Sequence, residues 1–380
     1  MTGVPVTGVP GRTGSWAGPL REVARWGWTP GEGADPAEGL VAFLARWGLA
    51  GPPAAQEPGE VGVALLLGAA GCCALAGLPP PAASPVPAVP EVLAVALQRG
   101  SPPPARVPGP YEVGSWTATW TDAEHAAAVR TVQEAIGRGD LYQANVVGHR
   151  SAPYAGDPYA LAAAVAALPG ATYGGVLAGD GWAVGCASPE QLVRVEGDRV
   201  TTVPVKGTRP VRPGSAAELR ASAKDRAEHV MIVDLERNDL ARVARTGTVQ
   251  VERLYELTDW SGLWQAGSTV SARLRPEAGV LDVLRALVPG GSVTGAPKRA
   301  ACSLLAGLEP VGRGPAMGAL GFLRPGGLDL GLTIRTVAAD DYRVHLWAGG
   351  GITWGSVPDD EVAEAHAKAA PVLRALARFA

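Results

Sequence analysis

The sequence predicts an α+β domain of stacked antiparallel sheets covered by helices. Three observations carry that expectation. Between Thr172 and Val205 apolar and polar residues alternate in short runs, broken at Gly179-Asp180-Gly181 and Gly197-Asp198, which predicts three or four strands joined by tight turns. Ala216 to about Arg245 is rich in Ala, Leu, Glu, Arg and Met and predicts one long helix. Leu328–Ala338 alternates, with Leu328, Leu330, Leu332 and Ile334 on one face and Arg335 on the other. Strands interleaved with long helices predict sheets packed beneath helices.

The remaining elements follow in order. Residues 1–60 carry only a weak amphipathic signal, around Val41–Trp47, and Pro79-Pro80-Pro81 and Pro102-Pro103-Pro104 predict surface loop flanking one apolar stretch, Val92–Leu97. Thr121-Asp122 caps a helix to about Arg138, with Val129, Val132 and Ile136 on one face. Leu141–Arg150 predicts a strand and Pro158–Leu168 an Ala-rich helix. Asp340-Asp341 turns the chain into a strand over Tyr342–Ala348, and Pro358 opens a final helix to about Arg378. The expected organisation is a divergent N-terminal portion, 1–110, packing on the same fold as a catalytic domain over 111–380.

Composition narrows the function. With 380 residues, 47% of them hydrophobic, the chain buries a large core. A net charge of −3 and no basic stripe exclude nucleic acid as the expected partner. Cys72, Cys73, Cys186 and Cys302 lack zinc spacing and read as buried thiols in a reducing compartment. Val61–Leu78 is uncharged but mostly Gly and Ala, bounded by Glu60 and prolines, and reads as buried strands rather than a membrane helix. No signal peptide opens the sequence, so a cytoplasmic protein is expected.

The chemistry concentrates in a few places. Pro204-Val205-Lys206-Gly207-Thr208 puts a lysine, an amine that burial readily activates, sixteen residues after Glu190 of Ser188-Pro189-Glu190. Asp225 and Glu228 share one helical face, and Glu361 and Glu364 repeat that spacing on the last helix. If the two pairs converge they form an oxygen-rich Mg²⁺-type site; taken singly, each reads better as a solvated helix face. Arg335 offers a planar fork to a carboxylate, or a structural ion pair. Gly349-Gly350-Gly351 lets backbone N–H groups approach an anion.

Six blocks stand in register: Tyr142-Gln143-Ala144-Asn145, residues 224–240 around Asp234-Leu235-Glu236-Arg237-Asn238-Asp239, Pro289 to Lys298, Thr333-Ile334-Arg335-Thr336, Gly349 to Ile352, and Asp360 to Ala369. In this order they resemble the chorismate-utilising enzymes, from about Trp116 to the C-terminus. The resemblance implies two stacked antiparallel β-sheets in a sandwich flanked by helices, with the active site in the cleft between the halves. It implies that Glu228 and Glu364 ligate Mg²⁺ while Asp225 and Glu361 act through water. It also implies that Gly207, Thr208 and Thr294 line the pocket, with Arg335, Gly349, Gly350, Gly351 and Lys368, which could instead simply pair with Glu364. Relatives that add water carry a lysine where this chain has Gln143, so hydration is disfavoured. Lys206 stands where anthranilate-type relatives have alanine, as in aminodeoxychorismate synthases. The implied reaction is amination of chorismate at C4, with Lys206 as nucleophile, Glu190 as acid and ammonia from a separate glutamine amidotransferase subunit. The alternatives are C2 amination, giving aminodeoxyisochorismate or anthranilate, and a non-catalytic chorismate-binding partner. Gln265 replaces the family's usual histidine, which disfavours pyruvate loss. Ala316, Gly355 and Val362 also depart from the pattern.

Overall fold

The weakly patterned N-terminal hundred residues contribute three strands of a large sheet. The computed structural model describes residues 19–100, 106–260 and 263–377; the segments 1–18 and 101–105, with the Pro102–Pro104 loop, lie outside them. Strand β1 (Leu20–Trp28) leads into α1 (Pro36–Ala45), where the Asp35 carboxylate accepts from Ala37 N at 2.7 Å and Pro36 occupies the first turn. Strand β2 (Val61–Leu67), helix α2 (Ala69–Ala76) and strand β3 (Val92–Arg99) follow. The uncharged stretch Val61–Leu78 is therefore one strand and one helix, not strands alone. Gly62–Leu67 are all buried, which explains the absence of charge without a membrane. Among the described residues no helix is long and apolar enough to cross one.

Short strands β4 (Tyr111–Val113) and β5 (Thr117–Ala118) precede α3 (Asp122–Gly137), which opens on a capping box. The Thr121 hydroxyl accepts from Glu124 N at 3.2 Å, and the Glu124 carboxylate accepts from Thr121 N at 2.6 Å. Strand β6 (Gln143–Gly156) outruns the expected Arg150 because Ala144 to Pro153 pair with a downstream strand, Arg343–Ile352, and Tyr154 to Gly156 pair with β4. Helix α4 (Pro158–Ala166) is capped by Asp157. Where three or four short strands were expected before Val205 there are four, β7 (Tyr173–Gly179), β8 (Trp182–Ser188), β9 (Gln191–Glu196) and β10 (Arg199–Thr202), followed by β11 (Val205–Pro210).

The long helix expected from Ala216 is two helices, α5 (Ser215–Ala221) and α6 (Ala223–Ala241). Ser222 leaves helical geometry at ψ 107° and its hydroxyl accepts from Asp225 N at 3.2 Å, so it ends one helix and caps the next. A hairpin of β12 (Gln250–Trp260) and β13 (Leu263–Arg273) comes next, then α7 (Val280–Leu287), α8 (Gly291–Thr294), β14 (Gly295–Ala296) and α9 (Lys298–Leu308). Strand β15 (Ala319–Arg324) turns into β16 (Gly327–Leu332), and β17 (Thr336–Ala339), β18 (Arg343–Ile352) and α10 (Pro358–Ala377) complete the chain. The single strand expected over Leu328–Ala338 is thus two, separated at Thr333–Arg335.

Among the described residues the strands form two antiparallel sheets. One runs β1-β3-β2-β15-β16-β9-β10-β13-β11, with β12 also on β13. The other runs β14-β6-β18-β17-β8-β7, with β4 and β5 on β6. Side chains of both, such as Leu65, Leu330, Val184 and Trp347, share one core. Helices α4 and α10 cover the second sheet through Leu161, Val165, Ala369 and Val372. Two neighbouring chain segments, β8 to β9 and β16 to β17, pass from one sheet to the other side by side. At the crossing Leu332 N donates to Glu190 O at 3.0 Å, and Ala187 N donates to Arg335 O at 3.2 Å. The strand break at Thr333–Arg335 is this passage, and it puts Glu190 and Arg335 at the seam between the sheets.

Candidate active site

A cavity of about 480 Å³ opens at that seam. Glu190 and Arg335 reach it from the two crossings, Lys206, Gly207, Arg209 and Gln265 from β11 and β13, and Asp225 and Glu228 from α6. Gly349 and Gly351 line it from β18, and Glu361, Glu364 and Lys368 from α10. Most of the residues expected in the site therefore meet in one place. Thr294 does not: it is buried and lines a separate small cavity, because α8 turns Ser292 and Val293 toward the site instead. The Thr208 side chain lies outside the described residues.

Backbone geometry aims these groups. Lys206 and Thr208 face Ala266 and Gln265 with Gly207 bulged between them at φ 75°, a left-handed value that glycine tolerates. Arg335 at φ 51° and Met317 at φ 59° also occupy the left-handed region, which costs roughly 1–3 kcal/mol for each non-glycine residue. Both line the cavity, so the surrounding fold absorbs strain here. On β18, a methyl group added to Gly351 would overlap the amide nitrogen of Gln143 and lie 3.3 Å from Lys206 Nζ. The Gln143 amide nitrogen is buried, with no hydrogen-bond partner among the described residues. A methyl on Gly350 would lie 3.0 Å from Glu361 Oε2 and 3.6 Å from Glu364 Oε1, so both carboxylates sit over that glycine.

Electrostatics set the protonation states. Burial pushes the Lys206 amine below its usual value; the Lys368 ammonium adds to this, and Glu190, Glu228 and Glu364 oppose it. Burial pushes the Glu190 carboxyl up, against the pull of Lys206 and a 3.0 Å hydrogen bond from Ser292 Oγ to Glu190 Oε1. The pair is biased toward a neutral amine and a neutral acid. Behind them, buried His229 bonds Ser268 Oγ at 2.5 Å and is pushed down to about 4 by burial and then by Lys206. Burial lowers Arg335 as well, with Glu190 opposing.

The acidic pairs reach the cavity from two separate helices, α6 and α10. Arg209 donates to Asp225 Oδ2 at 2.8 Å, and Ser356 Oγ donates to Glu361 Oε1 at 2.6 Å. Lys368 Nζ lies 2.6 Å from Glu364 Oε1 and donates to Gly349 O at 2.9 Å, so it both pairs with Glu364 and lines the cavity. Among the described residues no group of three or more His, Cys, Asp or Glu gathers closely enough to enclose a metal. The donor set, hard carboxylate oxygens across a polar gap, fits an ion such as Mg²⁺ that keeps several waters and takes one or two carboxylates plus substrate oxygens. Sequence reasoning missed Ser292 and Met317. Ser292 lies inside the Pro289–Lys298 block, whereas nothing in the local pattern announces the left-handed turn at Met317.

Residues 82–374 match the family described as chorismate binding enzyme. The chain is 41% identical over 287 residues to anthranilate synthase component 1 of Streptomyces coelicolor, covering 73% of this chain and 56% of that protein. It is 35% identical over 268 residues to aminodeoxychorismate synthase component 1 of Escherichia coli, covering 69% and 59%. The chain thus spans less than two thirds of the length of these relatives. Among solved structures, anthranilate synthase component I from Streptococcus pneumoniae TIGR4 superposes with a TM-score of 0.79 at 22% identity, covering 97% of this chain and 94% of that one. The menaquinone-specific isochorismate synthase of Escherichia coli gives 0.67 at 16% identity, covering 99% and 96%. Both share the fold described above.

Proposed function

The chain belongs to the chorismate binding enzyme family, and on that premise we propose that it aminates chorismate at C4 to give 4-amino-4-deoxychorismate. The observation that carries this reading is Lys206 in the cavity wall, its amine biased toward neutrality near an acid biased toward protonation. Neutral Lys206 attacks C2 of the ring, electrons shift through the diene, and the C4 hydroxyl leaves as water with the proton of Glu190. Ammonia then attacks C4 and gives a proton to the Glu190 carboxylate, the electrons shift back, and Lys206 leaves C2 as the neutral amine. Ser292 holds Glu190 Oε1 during both transfers. Arg335 pairs with one substrate carboxylate as a planar fork, and the Gly349–Gly351 backbone lies close to the ring.

Glu228 and Glu364 would hold Mg²⁺, with Asp225 and Glu361 acting through water. Bound there, the ion would supply positive charge to offset the ring carboxylate. Ammonia is supplied by a separate glutamine amidotransferase subunit or by free ammonium.

A second reading, C2 amination to anthranilate or aminodeoxyisochorismate, is favoured by the 41% identity to a relative named anthranilate synthase component 1. Product regiochemistry separates the two. Purified protein with chorismate, Mg²⁺ and ammonium should give the C4-aminated product, identified by mass and by its conversion with an aminodeoxychorismate lyase. Lys206→Ala should lower that product on the order of 10²-fold, as expected for loss of a covalent catalyst. Lys206→Arg near wild type, or a C2-aminated product from the unaltered chain, would sink the proposal.

A further inference from the structure

The last helix places a cation on one of its own acidic residues. Lys368 stands one turn after Glu364 on α10, and its ammonium lies 2.6 Å from Glu364 Oε1. It also donates to Gly349 O at 2.9 Å, which ties it to strand β18 across the cavity wall. A glutamate four residues before a lysine is the favourable order for such a pair on a helix. Both side chains line the cavity, and 48% and 52% of them stay exposed, so packing does not lock the pair.

The neighbouring carboxylates are held differently. Glu361, one turn earlier on the same helix, is buried and accepts from the Ser356 hydroxyl at 2.6 Å. On α6 the guanidinium of Arg209 sits on Asp225, a residue read as acting through water. Glu364, read as a direct metal ligand, has an ammonium on its Oε1. An ammonium and a divalent ion on one carboxylate are adjacent like charges, and each weakens the hold on the other.

We propose that Lys368 competes with Mg²⁺ for Glu364, so that binding the metal and releasing this lysine are one event. The proposal rests on the reading of Glu364 as an Mg²⁺ ligand. The Glu364–Lys368 contact opens as Glu364 turns to the ion, and the ammonium, still on the Gly349 carbonyl, becomes available to a substrate carboxylate. Binding free energies are reciprocal, so an anion that draws Lys368 away from Glu364 tightens the metal by the same factor. Lys368 thereby couples the ion to the substrate.

The test needs no turnover. Calorimetric titration of the whole folded chain with Mg²⁺, without chorismate, reads the affinity directly. Lys368→Met keeps the length of the side chain and removes its charge, and should bind Mg²⁺ on the order of 10-fold more tightly than the unaltered chain, as expected for removing a unit charge beside a divalent ion in a partly exposed site. Lys368→Arg keeps the charge and should show no such gain. A second readout follows the lysine itself. The chain has four lysines, Lys206, Lys224, Lys298 and Lys368, so brief acetylation followed by peptide mass analysis resolves each one. Saturating Mg²⁺ should speed labelling of Lys368 by freeing it from Glu364. Lys298 should not change, because its ammonium lies 2.7 Å from Asp239 Oδ2 with both side chains buried. The labelling uses the unaltered chain, so it decides the matter even if a variant folds poorly. Equal Mg²⁺ affinity in the unaltered chain and Lys368→Met, or Lys368 labelling that ignores saturating Mg²⁺, would overturn the competition and leave the metal assignment standing. No Mg²⁺ binding by either protein would overturn both.

Discussion

Adding one methyl group at Gly351 tests the whole geometry of the site. Its backbone φ lies outside the left-handed region, so alanine costs nothing in conformation and its effect is purely steric. The new Cβ would overlap the Gln143 amide nitrogen and stand 3.3 Å from Lys206 Nζ. Both atoms end long side chains, so they yield, but Gln143 is 2% exposed and has little room. Overpacking of this kind costs roughly 1–3 kcal/mol of stability, and a catalytic group displaced by about 1 Å loses on the order of 10²-fold in rate. Gly351→Ala should therefore unfold in urea as a cooperative unit within that range of wild type, while kcat/KM for chorismate with saturating ammonium falls about 10²-fold. Gly349→Ala is the contrast. Its methyl would overlap the Val146 carbonyl oxygen, a backbone atom of the paired strand β6 that cannot rotate away, so folding itself should fail. Wild-type kcat/KM in Gly351→Ala, or loss of folding as complete as in Gly349→Ala, would refute the placement of Lys206 against this strand.

Three further outcomes are expected. Chelation should abolish turnover and Mg²⁺ restore it, and Glu228→Gln or Glu364→Gln should cost several orders of magnitude; full activity in excess chelator would remove the metal assignment. Glutamine alone should not support turnover of the isolated chain, whereas ammonium at high pH should, and glutamine-dependent activity without an added subunit would contradict this. Glu91, whose carboxylate accepts from Ala70 N at 2.9 Å, is pushed up to about 7 by burial, with the Gly71 and Ala70 N–H groups opposing. Its native value lies above the unfolded value of about 4.3, so it contributes stability at low pH that is lost as pH rises toward 7. Relative to Glu91→Gln, wild type should lose about 1.4 kcal/mol per pH unit across that window in urea unfolding, and a flat difference would show that Glu91 is ionised in the native state.

The sequence made some of this visible for physical reasons, and hid the rest for others. Helix α3 was legible because Thr121 caps it locally and Val129, Val132 and Ile136 mark its buried side, and α10 because Pro358 opens it. The break at Ser222 was not, since a serine within a helix-forming run declares a cap only when the chain turns. The gap between β16 and β17 was masked because every residue of β16 is buried, so no loss of alternation marks Thr333. The hairpin of β12 and β13 is held in register by pairing between strands, which a local pattern does not record. Of the site, Lys206, Glu190, Arg335 and the two acidic pairs could be named from their blocks, and all face one cavity. Thr294 could not be told from Ser292, two residues away, because the turn of α8 alone decides which of them faces Glu190.

The pairing of β2 with β15 bears on how the protein emerges from the ribosome. About 250 residues separate Leu67 from its partner Ala319, so at ordinary synthesis rates of 5–20 residues per second the β2 edge waits roughly 12 to 50 s for a neighbour. Until then the three strands, in the order β1-β3-β2, present Val63, Leu65 and Leu67 beside unpaired backbone, the kind of edge that other chains can join. Stalled nascent chains ending before residue 319 should bind a hydrophobic-surface chaperone, and chains extended past β15 should release it. Equal capture of both would show that this edge is covered some other way during synthesis.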